Sequence, residues 1–204
     1  MLCYPPTREF AHLESWPVVG VLHEQGEILP VLISGYIIIN VMILFHGSDL
    51  VVEKPNLGLS RKSLDFGSGF YTTANKDQAV DFARKVKVRK GQNNCLVSVY
   101  DFDIEAAETV LSILKFDAPD RLWLDFVHRN RQSIYTGKPY DLIIGPVAND
   151  DVFATLIVYE QGILNVEQTL ESLKIRKLYN QFVFKTEKAI SFLGFMDSFD
   201  PRVL

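Results

Sequence analysis

From Ile28 to Phe45 the chain runs for 18 residues without a charged side chain. A run of that length reaches the lower bound for a membrane-spanning helix, so its fate separates a membrane protein from a sheet protein. Pro30, Ser34, Gly35 and Asn40 interrupt it, and Val31, Ile33, Ile37, Ile38, Ile39, Val41 and Ile43 load it with β-branched side chains. Such residues lose rotamer freedom in a helix and pack well on a pleated surface, which predicts strands and no transmembrane anchoring. The 27 residues before it hold one Arg and four Glu, the reverse of the basic start of a secretory signal. They are also proline-rich and lack a sustained period. Residues 1–41 are therefore expected as an N-terminal extension, poorly organised or adding a strand. The organised domain is expected over 42–204, with Met42 as an alternative start.

Within 42–204 strands and helices follow each other without a βαβ rhythm, which predicts an α+β fold. "MILFHGS" (42–48) reads as a strand that stops at a histidine, a glycine and a serine. "DFGSGFYTT" ends a glycine-punctuated loop in a short strand. Residues 75–86 read as a helix capped by Asn75, with Ala79, Phe82, Ala83 and Val86 on one face. "NNCLVSVYDFD" (93–103) alternates as a strand, and "DIEAAETVLSILKF" is read as a strand with turns. Residues 119–132 form a helix with Leu122, Trp123, Phe126 and Val127 inward, Trp123 being a core residue. A strand over 140–147 and helices over 149–162 and 165–175 follow, the first capped at Asn149 or Asp150 and stopped by Gly162. A strand over 180–186 and a closing helix capped by Thr186 complete the domain.

Composition narrows the chemistry. A net charge of -4 opposes generic nucleic-acid binding, and the basic run "ARKVKVRK" (83–90) fits a solvated helix face. Cys3 and Cys95 are the only cysteines, so no disulfide framework is expected and a reducing, cytoplasmic setting is. The four histidines, His12, His23, His46 and His128, show no ligand spacing, and no metal site is expected. No Walker, dinucleotide-fold, nucleophile-elbow or kinase motif is present.

Three strand-edge elements remain: "LFHGS" (44–48), "FGSGFYTT" (66–73) and "YNQFVF" (179–184). In that order they resemble the diphtheria-toxin-like ADP-ribosyltransferases, the superfamily that includes the poly-ADP-ribose polymerases. The members carry His-Gly-Ser at the end of a first strand, then Phe-Gly-x-Gly-(Ile/Phe)-Tyr, then Asn-Glu-(Tyr/Phe). With "GPVAND" (145–150), the pattern is also similar to an uncharacterised bacterial family with an ADP-ribosyltransferase-like domain, over about residues 42–196. The resemblance implies two small, mostly antiparallel sheets, split and flanked by helices. It implies NAD as co-substrate and an NAD-dependent mono-ADP-ribosyltransferase or NAD glycohydrolase. A bacterial toxin or toxin–antitoxin component is implied as well, with a macromolecular or small acceptor and an antitoxin protein as partners.

The same resemblance assigns roles. His46 would bond a ribose hydroxyl and Ser48 the adenosine side. Gly47 would let the ligand reach backbone N–H and C=O groups, which suit a carboxamide. Gly69, with Gly67, would shape the turn that presents Tyr71, whose ring would stack on nicotinamide. Phe82 would form a second aromatic wall, and Arg61 would reach the diphosphate. Asn149 and Asp150 are additional candidates, and Ala79 stands where the polymerases hold the carboxamide with a serine. Each residue also has a structural reading: strand end, turn, core aromatic, solvated arginine or helix cap.

Gln181 occupies the place of the catalytic glutamate. Glutamine keeps an acceptor of similar shape but loses the charge. Hydrogen bonds to charged groups contribute about 1.5–3 kcal/mol against about 0.5–1.5 for neutral ones, a difference of roughly one to two powers of ten in rate. Polymer elongation is not expected from such a site, whereas mono-transfer or slow hydrolysis is. The alternatives are a catalytically inactive module that binds NAD or ADP-ribose, and an interaction protein that uses the basic runs 83–90 and 174–177. Loops over 162–180 would set the acceptor.

Overall fold

The computed structural model describes residues 29–33, 37–147, 150–174 and 179–203. Its central element is β2 (Ile37–Ser48), the product of the β-branched run. β1 (Leu29–Ile33) pairs antiparallel with the start of β2, from Leu29 opposite Val41 to Ile33 opposite Ile37. The described part of the uncharged run is thus extended. Among the described residues no helix is long and apolar enough to cross a membrane.

After β2 come β3 (Phe70–Thr73), α1 (Lys76–Lys90), β4 (Leu96–Phe102), α2 (Ile104–Val110) and β5 (Ile113–Lys115). Then follow α3 (Arg121–Arg131), β6 (Leu142–Val147), α4 (Asp150–Glu160), α5 (Val166–Lys174), β7 (Tyr179–Phe184), α6 (Glu187–Ile190) and β8 (Leu193–Phe199). Apart from β1, the strands lie in the order β5-β6-β7-β3-β2-β4-β8. Among the described strands only β5 and β6 run parallel to each other. The sheet is mixed with helices on its faces, an α+β arrangement.

β2 and β4 pair over seven positions, Met42 opposite Phe102 through Ser48 opposite Leu96. On its other side β2 meets β3 at one position only, Phe45 opposite Thr73. That single position joins β5-β6-β7-β3 to β2-β4-β8.

Strand alternation sorts the core into layers. Leu44, Phe70, Tyr100, Phe102, Leu142, Ile144, Phe182 and Phe184 cluster on one face with Ala107 of α2 and Ala189 of α6. Ile143 and Val183 turn to the other face, against Trp123, Leu124, Phe126 and Val127 of α3, Val152 and Leu156 of α4, and Leu173 of α5. Burying each Val, Leu, Ile or Phe side chain among them stabilises the fold by about 1.5–3 kcal/mol. Trp123 closes this layer by donating from Nε1 to the Pro146 carbonyl at 2.8 Å. On α1, Ala79, Val80 and Ala83 form a smaller cluster with Cys95 and Val97.

Several elements differ from expectation. Residues 104–110 are a helix, because Asp103 accepts from the Ala106 N–H at 2.9 Å and caps a turn that takes Ile104, Thr109 and Val110 into the helix with it. On α3 Leu122 is 74% exposed and Leu124 is buried in its place. On α1 Phe82 is 45% exposed, and Val80 packs inward instead. The closing helix is only α6, which Thr186 caps by accepting from Ala189 N–H. β8 follows it and pairs with β4 through a register shift at Val99/Tyr100.

The α2 cap is directly testable. Asp103→Ala should cost about 1 kcal/mol, read as a lower urea midpoint, and an unchanged midpoint would show that the cap does not hold α2.

Candidate functional site

The three sequence elements lie on three adjacent strands. β7 carries Gln181, β3 carries Tyr71 and β2 carries His46. Thr73 is opposite both Phe45 and Gln181, so one row crosses all three strands. Tyr71 lies two residues from that row and His46 one residue from it.

Past Phe45 and Thr73 a side chain takes over from the ladder. His46 Nδ1 donates to the Tyr71 carbonyl at 2.7 Å. A carbonyl only accepts, so the proton sits on Nδ1 and Nε2 is left as an acceptor. The ring packs on Phe70 with centroids 4.4 Å apart. Burial lowers the His46 pKa from its ordinary value, against a smaller opposing effect of the Tyr71 bond. The imidazole is therefore a neutral strut between two strands.

Tyr71 is anchored through its hydroxyl, which donates to the Gly67 carbonyl at 2.6 Å and accepts from the Phe66 N–H at 3.1 Å. Burial pushes the phenol pKa up. The hydroxyl is thus committed to the loop, and only the ring can face a ligand. Gly67 takes φ 72, the left-handed region that favours glycine. A Cβ on Gly69 would come within 2.6 Å of Val183 Cγ1, so this loop lies directly on β7. Ser60 Oγ fastens it, accepting from Gly69 N–H at 2.7 Å. Arg131 holds the approach to the loop through Asp65 at 3.2 Å and Glu160 at 2.7 Å.

Gly47 has a packing reason that the motif did not reveal. A Cβ there would lie 2.0 Å from the Ala79 carbonyl oxygen and 2.8 Å from the Ala83 nitrogen, because α1 rests on this part of β2. Ser48 bonds Asp49 at 3.3 Å, and Asp49 pairs with Lys90 at 2.7 Å. Arg61 lies exposed in the loop before the glycines. Phe82 lies between Gly47's two contacts, Ala79 and Ala83, along α1 and keeps an exposed ring. Asn149 lies outside the described residues, and Asp150 is the first residue of α4.

Gln181 Oε1 is buried and has no hydrogen-bond donor among the described residues. Its cross-strand neighbour cannot supply one, because Thr73 Oγ1 donates to Gln78 Oε1 at 2.6 Å. An unsatisfied buried acceptor costs about 1–3 kcal/mol, which a ligand hydroxyl or amide would relieve. Thr73 and Gln78 were not singled out from the sequence, since only the strand register sets them beside Gln181. By alternation Tyr71, Thr73 and Gln181 share the Val183 face, while His46 lies on the Leu44 and Phe70 face. His46 reaches the others through the Tyr71 backbone, not across a shared face. Among the described residues no group of three or more His, Cys, Asp or Glu is placed to hold a metal ion.

The fold and this row define an α+β protein with a histidine, a tyrosine and a glutamine on three neighbouring strands. The family described as "Protein of unknown function (DUF3990)" matches residues 42–195, and the chain belongs to it. No curated protein matches the chain. No solved structure matches it either.

Two outcomes follow from this geometry. Gly47→Ala must push α1 off β2 and should destabilise the protein by roughly 1–3 kcal/mol or more; wild-type thermal and urea midpoints would refute the packing role. His46 supplies a pH dependence. The unfolded histidine takes up its proton near pH 6.5, before the folded one does, so this contribution is complete above that pH and declines as the pH falls below it. Urea midpoints measured from about pH 7.5 down to 5.5 should therefore fall in wild type and fall less in His46→Gln, which keeps a donor for the Tyr71 carbonyl.

Proposed function

We propose that the protein is an NAD-dependent mono-ADP-ribosyltransferase, with NAD hydrolysis as the outcome when water replaces the acceptor. The observation that carries this reading is the buried, donorless Oε1 of Gln181 beside the row that links β7, β3 and β2. An acceptor held in that state suits a ribose hydroxyl. The unprotonated Nε2 of His46, on the other face of the sheet, suits a second hydroxyl of a ligand that passes through the joint, and the Tyr71 ring and the exposed Phe82 ring suit nicotinamide. The single-position joint between β2 and β3 supports an ADP-ribosyltransferase-like split into two half-sheets, with the dinucleotide entering at the joint.

In the reaction the bond between nicotinamide and the ribose carbon breaks. Nicotinamide leaves with the electron pair, and an acceptor nucleophile forms the new bond and gives up its proton. Fixing the ribose and stabilising the positive charge that develops on it lower the barrier. Gln181 contributes the first and, being neutral, little of the second. A toxin or toxin–antitoxin role, an antitoxin partner and the identity of the acceptor rest on the resemblance of the three motifs. A second reading, a catalytically inactive module that binds NAD or ADP-ribose, is favoured by that same missing charge.

Nicotinamide release from NAD, transfer of label to a lysate and calorimetric NAD binding test both readings. The enzyme reading expects slow wild-type release, loss of binding in His46→Ala, and a gain of roughly ten- to a hundredfold in Gln181→Glu. Binding without turnover in wild type and Gln181→Glu would establish the module instead. Neither binding nor release in either protein would reject both.

A further inference from the structure

A different part of the molecule carries two cavities of its own. Behind the glycine loop two adjoining cavities of about 240 Å³ each share Asn130, Tyr135 and Lys185 in their walls. Lys138 lines one cavity and Lys62 the other, and among the described residues no Asp or Glu lines either. In a chain with 25 acidic and 21 basic side chains, three lysines without a carboxylate make a local positive groove.

Lys185 is the built element of this groove. Its ammonium donates to the Phe66 carbonyl at 2.6 Å and to the Ser68 carbonyl at 2.7 Å. An ammonium has three donors, so one remains. Burial lowers the Lys185 pKa to about 8, as befits a cation bonded to carbonyls instead of to a carboxylate. At the rim Ser133 closes α3 with φ 57, a left-handed position where glycine would be less strained. Its hydroxyl meets Ser63 Oγ at 2.9 Å. The other end of the groove is aromatic, with Phe126 and Tyr135 in edge contact at 4.7 Å.

We propose that this groove binds a small phosphate monoester with an aromatic body, its phosphate between Lys185 and Lys62 and its ring against Tyr135 and Phe126. The site is independent of the dinucleotide reading but shares the glycine loop with it. Lys185 grips the Phe66 and Ser68 carbonyls from one side, and Tyr71 grips Phe66 N–H and Gly67 C=O from the other. Occupation therefore stiffens the loop that holds Tyr71.

The test is a ¹H–¹⁵N titration of the full chain with phenyl phosphate and with inorganic phosphate, at constant ionic strength against chloride. Saturable shifts at the amides of Gly67, Ser68 and Ser133 are expected, with phenyl phosphate the tighter ligand. Lys62→Ala, a change at an exposed side chain, should weaken binding by roughly tenfold, the worth of one charge-assisted contact. Lys185→Met should abolish it, and Lys185→Arg guards against a merely misfolded loop by keeping the charge and part of the binding. His46→Ala and Gln181→Glu should titrate like wild type, which keeps this site distinguishable from the NAD site. Shifts that match chloride and never saturate, or Lys62→Ala and Lys185→Met curves that superimpose on wild type, would overturn the proposal. Equal affinity for the two probes would remove the aromatic subsite and with it the proposal as stated.

Discussion

The bond from the His46 imidazole to the Tyr71 carbonyl stands where the backbone ladder between β2 and β3 stops. The β5-β6-β7-β3 and β2-β4-β8 strands share the core around Phe70, Tyr100, Phe102 and Phe182, but their backbones pair at Phe45 and Thr73 alone, a weak joint in the ladder. A side-chain strut that spans the next position keeps the strands in register without closing the gap between them. Its neutrality matters, because a protonated ring would have to be solvated or paired in a place built around Phe70. The sheet is thus held together at its middle by a group that still has a free acceptor nitrogen. A structural duty and a ligand-facing duty are compatible in one imidazole because its two nitrogens are distinct.

The glycine loop is the second shared part. It is held by Tyr71 from within the candidate site, by Lys185 from behind, by Ser60 along its length, and by Arg131 through Asp65 at its approach. Nearly every polar group that fixes it belongs to another element. Changes in any one of those elements reach the ring of Tyr71 through the loop, and the distance between the two cavities and the strand row is bridged by a few backbone carbonyls.

Local signals were legible in the sequence. β-branched crowding announced β2, Asn75 announced α1 by its cap, and strand alternation announced β4. Where two local signals competed, as in the Asp103 cap followed by Ile104, Thr109 and Val110, the cap won, those β-branched residues went into α2 and the strand began only at Ile113. β8 lacks an alternating pattern and exists because β4 offers it an edge, which no window of its own residues records. Leu122 and Leu124 differ only in which side of a helix faces the sheet, and Trp123 and Phe126 fit either choice. The order His46, Tyr71, Gln181 was readable as a pattern, and the strand order makes their three strands neighbours, with His46 on the face opposite the other two. What the pattern could not supply is register: that Thr73 faces Gln181 and spends its hydroxyl proton on Gln78, or that Gly47 is a glycine because α1 lies on it.

That register bears on the glutamine itself. A carboxylate at position 181 would be desolvated beside a threonine whose proton is already committed, and a buried charge without donors costs far more than a buried neutral acceptor. A glutamate there would be driven toward its protonated form in the empty protein and would ionise only when a ligand brought donors to it. Glutamine avoids that conflict, leaves a smaller deficit at Oε1, and gives up the charge that would stabilise a developing cation. The same packing that makes the position tolerable without ligand therefore limits the electrostatic help it can give. In the proposed function, a neutral residue at 181 leaves hydrogen bonds and shape to hold the dinucleotide, and transfer would proceed chiefly by positioning.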